Sequence, residues 1–379
     1  RLISSCFDFN ILTKKNHLES MHQGVLTIVL YKTIILYMKK IILSLISLLS
    51  LFMLVSCPAK KNYGASIAVF IPGVMANSPT YALLDKGVRN AVEEFNANCS
   101  EESQKATVYT MEAGTNQAEW GAKLTALAAQ QKYDVIISSN SSLPELAVPI
   151  LEMYPKQKFI FLDAELEGIH NISTASYNQY EQAFFAGYSS GLMSKNHKVA
   201  IVAAQEYPVM NNVIMPYFAL GAKTAYEDTQ VDFRIVGNWY DANQGALLAD
   251  ALIKNGTDVI LPICGGAAQG VINSAVNSGT YIAWFDNNGF AYAPGTVISS
   301  STMNQEELAM EYTMDYLRGF FWHGKSHQFG MKDGMVDFIQ NDPLYISTVP
   351  ADVREKLFVL VDQVKRGEVI INEKGISKK

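Results

Sequence analysis

Two kinds of pattern alternate along this chain. Short, nearly unbroken apolar runs are followed by longer stretches in which apolar residues return every three or four positions. The first kind reads as a buried strand and the second as an amphipathic helix. The run at 66–71 is a strand, and Ser78 then offers a natural N-cap ahead of Pro79, a residue suited to the first helical position. Leu84, Val88, Ala91, Val92 and Phe95 recur at helical spacing and predict a helix over 81–98. After a strand at 107–111, Asn116 and Glu119 form a capping box for a helix that turns Trp120, Leu124, Leu127 and Ala128 inward.

The unit keeps recurring. Strands at 134–138 and 158–162 flank a helix at 143–154, and a loop over 171–178 leads to a helix at 179–194. Further strands fall at 198–204, 232–237, 258–261, 281–285 and 297–300. Helices fall at 212–227, 244–255, from Gly265-Gly266-Ala267 to 277, at 305–321 and at 351–366, with a Gly-rich stretch at 324–334. Short strands alternating with helices imply parallel sheets, and there are too many for one sheet of ordinary width. The fold class is therefore α/β, with two successive doubly wound parallel-sheet lobes dividing near 173–178 and an interdomain cleft between them.

Upstream, Lys39 and Lys40 precede an apolar run that ends at Leu54-Val55-Ser56-Cys57. A charged start, an apolar middle and a small-residue cleavage site make 38–56 a secretory signal. With a cysteine next, it reads as a lipoprotein box, in which Cys57 is lipidated and anchors the mature chain, with 57–65 as tether. The run is somewhat short for a membrane span of about 20 residues. Residues 1–37 read as an upstream extension absent from the mature protein.

The net charge of −6 is dispersed and shows no basic patch, which argues against nucleic acid. Cys99 and Cys264 are far apart and are expected to stay unpaired; no CxxC or HExxH spacing suggests a metal, and no cofactor motif occurs. The glycines at 265–270 miss the GxGxxG spacing of a dinucleotide site. No GxSxG elbow or His-paired nucleophile suggests an enzyme.

In open α/β sheets, ligands sit beyond the carboxyl ends of the strands. Those ends are polar and aromatic here, with almost no cationic side chains, which suits a neutral ring-containing solute with hydroxyls better than a phosphate. Trp239, Tyr240 and Tyr81 are candidates to stack on it, although each is equally suited to plain packing. Asp286, Asp163 and Asn140 are candidate hydrogen-bonding groups, or else cap and turn residues. Ser78 joins them, and Gly265 and Gly266 either let a ligand approach the backbone or only make a tight turn.

Several segments taken together resemble the basic membrane protein family of substrate-binding lipoproteins. They are Ile67-Ala68-Val69-Phe70-Ile71-Pro72-Gly73 with Gly87, Asp134-Val135-Ile136-Ile137, and Gln182-Ala183-Phe184-Phe185-Ala186-Gly187. Asp258-Val259-Ile260, Gly265 to Ile272, and Ile282-Ala283-Trp284-Phe285-Asp286 continue the resemblance. It implies a type I periplasmic-binding-protein-like fold whose two lobes, joined by three crossovers, close over a solute delivered to an ABC permease. It implies lobes of 66–175 plus about 298–325, and of 176–297 plus about 326–350, with a terminal helix and tail at 351–379. In the family's nucleoside receptors an aspartate and a lysine hold the ribose hydroxyls. Asp286 stands in the aspartate's motif, and Ser301-Thr302-Met303 stands where the lysine would fall. The expected protein is a monomeric, membrane-anchored nucleoside receptor on the periplasmic or cell-surface side. A sugar receptor, a surface interaction lipoprotein with a vestigial cleft, and a hydrolase are the other readings.

Overall fold

The computed structural model describes residues 64–378 and, apart from them, Met38. The rest of the signal, Cys57 and the 1–37 extension lie outside the described residues. Among those described, no helix is long and apolar enough to cross a membrane.

The first lobe opens with β1 (Ser66–Ile71), α1 (Pro79–Ala97), β2 (Thr107–Glu112), α2 (Trp120–Ala129), β3 (Val135–Ser139), α3 (Leu143–Met153), β4 (Lys158–Leu162) and β5 (Ile172–Tyr177). The second follows with α4 (Gln179–Met193), β6 (Lys198–Ala203), α5 (Met215–Ala225), β7 (Gln230–Ile235), α6 (Ala242–Lys254), β8 (Val259–Ile263), α7 (Ala268–Ser278), β9 (Tyr281–Asp286) and β10 (Val297–Met303). The chain then returns through α8 (Gln305–Leu317) and β11 (Ser326–Phe329). It crosses again to β12 (Val336–Phe338), α9 (Pro343–Thr348), α10 (Ala351–Lys365) and the hairpin of β13 (Val369–Asn372) and β14 (Gly375–Lys378).

The two sheets run β11-β5-β4-β3-β1-β2 and β12-β10-β9-β8-β6-β7, so they match strand for strand. β11 adds parallel to β5, whereas β12 adds antiparallel to β10. The central strands are apolar throughout because helices cover both faces, and Ile67 to Ile71, Val199 to Ala203 and Val259 to Leu261 are fully buried. Where α4 crosses α5 the helices touch backbone to backbone: a Cβ on Gly187 would run into the Phe218 carbonyl, and one on Gly221 into that of Phe184.

Three departures from the sequence reading share one cause. The expected loop at 171–178 is strand β5, and the Gly-rich stretch contains β11, with β12 just beyond it. β5 and β11 are rich in small or polar residues and β12 is only three residues long, so none shows the apolar run that marks a strand. Ser173 and Thr174 of β5 are nonetheless buried, because its neighbours and covering helices enclose it. Since β10 runs to Met303 in the second sheet, the crossovers lie at Asn178, Asn304 and 330–335 rather than near 175, 298 and 325. Ser78 precedes α1 as expected, but its side chain makes no capping hydrogen bond.

The crossovers are stitched together. The Asn178 N–H donates to the Phe329 carbonyl at 2.7 Å, and that of Asn304 to the Met335 carbonyl at 2.8 Å. The Met331 N–H donates to Oε2 of buried Glu181 at 2.6 Å, beside Gly330, where a Cβ would lie only 2.7 Å from that oxygen. Burial pushes the Glu181 carboxyl up to about 7, against the Met331 hydrogen bond and helped by Asp333. A carboxyl with a raised folded-state pKa holds a proton that the unfolded chain has released, so its contribution falls as pH rises from 4.5 to about 7. Melting temperatures measured between about pH 5 and 7.5 should therefore decline less steeply in Glu181→Gln than in the natural protein. Equal slopes would contradict this assignment.

Candidate functional site

The matched sheets place two aspartates in equivalent positions. Asp163 follows β4, Asp286 ends β9, and these strands hold the same place in the two sheet orders. Both have left-handed backbones, with φ of 51° and 73°. That conformation costs an ordinary side chain about 1–2 kcal/mol and is best tolerated by Asp, Asn and Gly. An aspartate suits this backbone at both strand ends, just after β4 and at the last residue of β9.

The charge of Asp286 bears on Asp163. Burial first, then Asp286, pushes Asp163 up to about 7, while the Gln179 side chain opposes this by donating to its Oδ1 at 3.1 Å. Burial pushes Asp286 up to about 6, opposed by Gln182. Gln182 is wholly buried, and although its amide lies beside Asp286, neither amide atom completes a well-formed hydrogen bond. Among the described residues neither aspartate has an ion-pair partner.

Aromatic rings surround the pair. Tyr81 leans over the loop after β1, where Gly73 makes room: a Cβ there would sit 2.9 Å from the ring. Burial pushes the Tyr81 hydroxyl up to about 12, with Asn140 opposing and Asp163 and Tyr240 adding to the rise. Tyr81 of the first lobe and Tyr240 of the second therefore face one cleft. Tyr207 is half-buried, feels both aspartates, and lies 6.4 Å from Trp239 between ring centroids.

The expected site residues divide clearly. Asp163, Asp286, Tyr81, Asn140 and Tyr240 come together. Asn140 also accepts from the Ser142 N–H at 2.9 Å, so it makes the turn as well. Trp239 stands behind Tyr207, and Gly265 serves it: with φ of 57°, a Cβ there would meet the Trp239 carbonyl at 3.0 Å. A Cβ on Gly266 would likewise meet Trp239, at 3.5 Å. Ser78 is half-buried before α1, where its N–H donates to the Met75 carbonyl at 3.0 Å and its side chain makes no capping hydrogen bond. Sequence reading named none of Tyr207, Gln179 and Gln182 as a ligand-binding residue, although Gln182 heads one of the segments that carry the family resemblance. The two glutamines lie in the first turn of the helix after a crossover, a position whose importance appears only once β5 is recognised as a strand.

This lining offers hydrogen-bond acceptors and flat rings. Burial pushes the Cys264 thiol up to about 12, and both Cys99 and Cys264 are free. Among the described residues no three His, Cys, Asp or Glu converge on a metal site.

Two matched α/β lobes joined by three crossovers define the bilobal fold that solute-binding proteins and LacI-type regulators share. The fold is shared with an ABC-transporter solute-binding protein from Aeropyrum pernix at TM-score 0.68 and 17% identity, over 81% of this chain and 94% of that one. Residues 65–365 match the family of PnrA-like ABC transporter substrate-binding proteins, also called Bmp, and the chain belongs to it. It is a binding protein of an ABC transporter and not an enzyme. It is 24% identical to basic membrane protein A1 of Borrelia garinii over 87% of this chain and 95% of the relative. It is 26% identical to the ABC transporter nucleoside-binding protein BmpA of Lactococcus lactis over 45% of this chain and 48% of the relative.

Proposed function

We propose that the chain is a lipid-anchored receptor that captures a nucleoside between its lobes and hands it to its permease. The observation that carries this reading is the meeting of Asp163 and Asp286 among Tyr81, Tyr207 and Tyr240 at the strand ends of both lobes. Rings take the flat faces of a base, and carboxylates accept hydrogen bonds from sugar hydroxyls. The acidic lining disfavours a phosphate. Closure follows from groups of both lobes meeting one solute: contacts present only in the closed form shift the population toward it. The lipoprotein box at Cys57 supports a lipid anchor on the periplasmic or cell-surface side that keeps the receptor beside its permease. The Lactococcus relative is named for nucleoside binding, which favours a nucleoside over a sugar.

Calorimetric titration with purine and pyrimidine nucleosides and with monosaccharides tests the reading. Binding of at least one nucleoside in preference to every sugar is expected. A response to sugars alone would replace it with a sugar receptor of the same fold.

A further inference from the structure

We infer that an aromatic shelf at the far pole of the first lobe, with Phe320 and Trp322 at its rim, rests in the headgroup layer of the bilayer that holds the lipid on Cys57. The inference rests on the lipid-anchor reading above and is independent of the solute. All six strands of the first sheet are parallel, so their carboxyl ends share the cleft side and their amino ends share the opposite pole. The chain enters the lobe at that opposite pole. The Gly64 N–H donates to the Ser103 carbonyl at 3.0 Å, and that of Ser66 donates to Asp134 Oδ2 at 2.7 Å. Cys57 lies seven residues before Gly64, a reach of at most about 25 Å. A lipid on Cys57 therefore keeps its bilayer near this pole.

The shelf stands at the same pole, in the turn from α8 to β11. Ile67 of β1, Val135 of β3 and Lys158 of β4 lie side by side in register, so the base of the tether is two strand spacings, about 10 Å, from Lys158. The Lys158 ammonium sits 5.2 Å from the centre of the Tyr316 ring and 5.3 Å from that of Phe321. Phe321 packs edge-on against Tyr316 at 6.1 Å and against His323 at 4.7 Å, which holds the turn in place. On this base Phe320 is 64% exposed and Trp322 44% exposed, between exposed Arg318 and Lys325. Trp322 donates through Nε1 to Asp315 Oδ2 at 3.2 Å, so its polar tip is satisfied while much of the ring meets solvent. Aromatic rings with a polar tip, flanked by cations on long stems, are the side chains that settle at a membrane–water interface. With the amino ends of the strands on the bilayer, the cleft at their carboxyl ends is held clear of it.

The test reconstitutes the lipidated natural protein in phosphatidylcholine vesicles whose acyl chains are brominated near the headgroup, where bromine quenches only tryptophans that touch lipid. The chain has four tryptophans, and Trp120, Trp239 and Trp284 are buried or half-buried. Quenching of up to one tryptophan's share of the emission is therefore expected. Trp322→Phe should abolish it, and Phe320→Ser should weaken it while leaving the melting temperature unchanged. Protein that stays on the vesicles without quenching, or quenching that persists in Trp322→Phe, would overturn the inference and leave the anchor standing. Absent quenching together with a dimer that Phe320→Ser dissolves would assign the shelf to a second copy of the chain instead. Natural protein that washes off the vesicles as readily as Cys57→Ala would remove the anchor reading, and this inference with it.

Discussion

Replacing Gly187 with leucine is expected to leave the chain without a cooperative folded state. The α4 stretch Gly187-Tyr188-Ser189-Ser190-Gly191 sets two glycines on one face, and α5 answers with Gly221. A side chain at Gly187 would meet the main-chain carbonyl of Phe218, which cannot step aside without moving a helix. Forcing extra carbons into a packed core costs about 1–3 kcal/mol where side chains can yield. Here backbone must yield, and α4 also carries Glu181 of the crossovers and Gln182 of the cleft, so the damage reaches both. Total stabilities are only about 5–15 kcal/mol. Gly187→Leu should therefore accumulate in insoluble form, while Gly187→Ala should fold but melt at least about 4 °C lower, given ~2–4 °C per kcal/mol for domains of 150–250 residues. Circular dichroism melts of the two variants would decide. A native-like melt in the leucine variant would mean that the helices separate easily.

Asp286→Ala should weaken solute binding at least tenfold. Leaving a hydroxyl of the solute without its charged partner costs about 1.5–3 kcal/mol, or roughly ten- to more than a hundredfold in Kd. Alanine also tolerates the left-handed backbone poorly, whereas asparagine keeps it, so Asp286→Asn separates lost charge from lost conformation. Removing Asp286 should in addition let the Asp163 carboxyl fall back from about 7 toward the ordinary range, since Asp286 is the second cause of its rise after burial. Calorimetry gives the affinity and a carboxyl NMR titration the pKa. Unchanged affinity in both variants would mean that the solute binds elsewhere.

The strands that sequence revealed were those whose burial shows in their composition. β1, β6 and β8 are apolar because helices cover both faces, and that requirement is written residue by residue. β5, with its sequence Ile-Ser-Thr-Ala-Ser-Tyr, is equally buried but filled with small polar side chains. Its strand character comes from the neighbours that pair with it, which a local pattern does not record. The site follows the same rule. Asp163 and Asp286 could be found because strand ends are where ligands bind, but their meeting depends on two sheets facing each other. Tyr207 and Gln182 matter through their nearness to Asp286, on elements far apart in sequence, for which periodicity leaves no trace.

The crossovers also bear on how the molecule is made. β11 lies beside β5, with Ser326 paired to Thr174, and β12 lies beside β10, so each sheet is finished by a piece synthesised after the other lobe has begun. A growing chain that has emerged only as far as β9 can complete neither sheet. Pairings between residues so distant in sequence form slowly, because the intervening chain must be gathered before any contact rewards it. The receptor therefore locks into shape only once the segment that carries β11 and β12, residues 326–338, has been made.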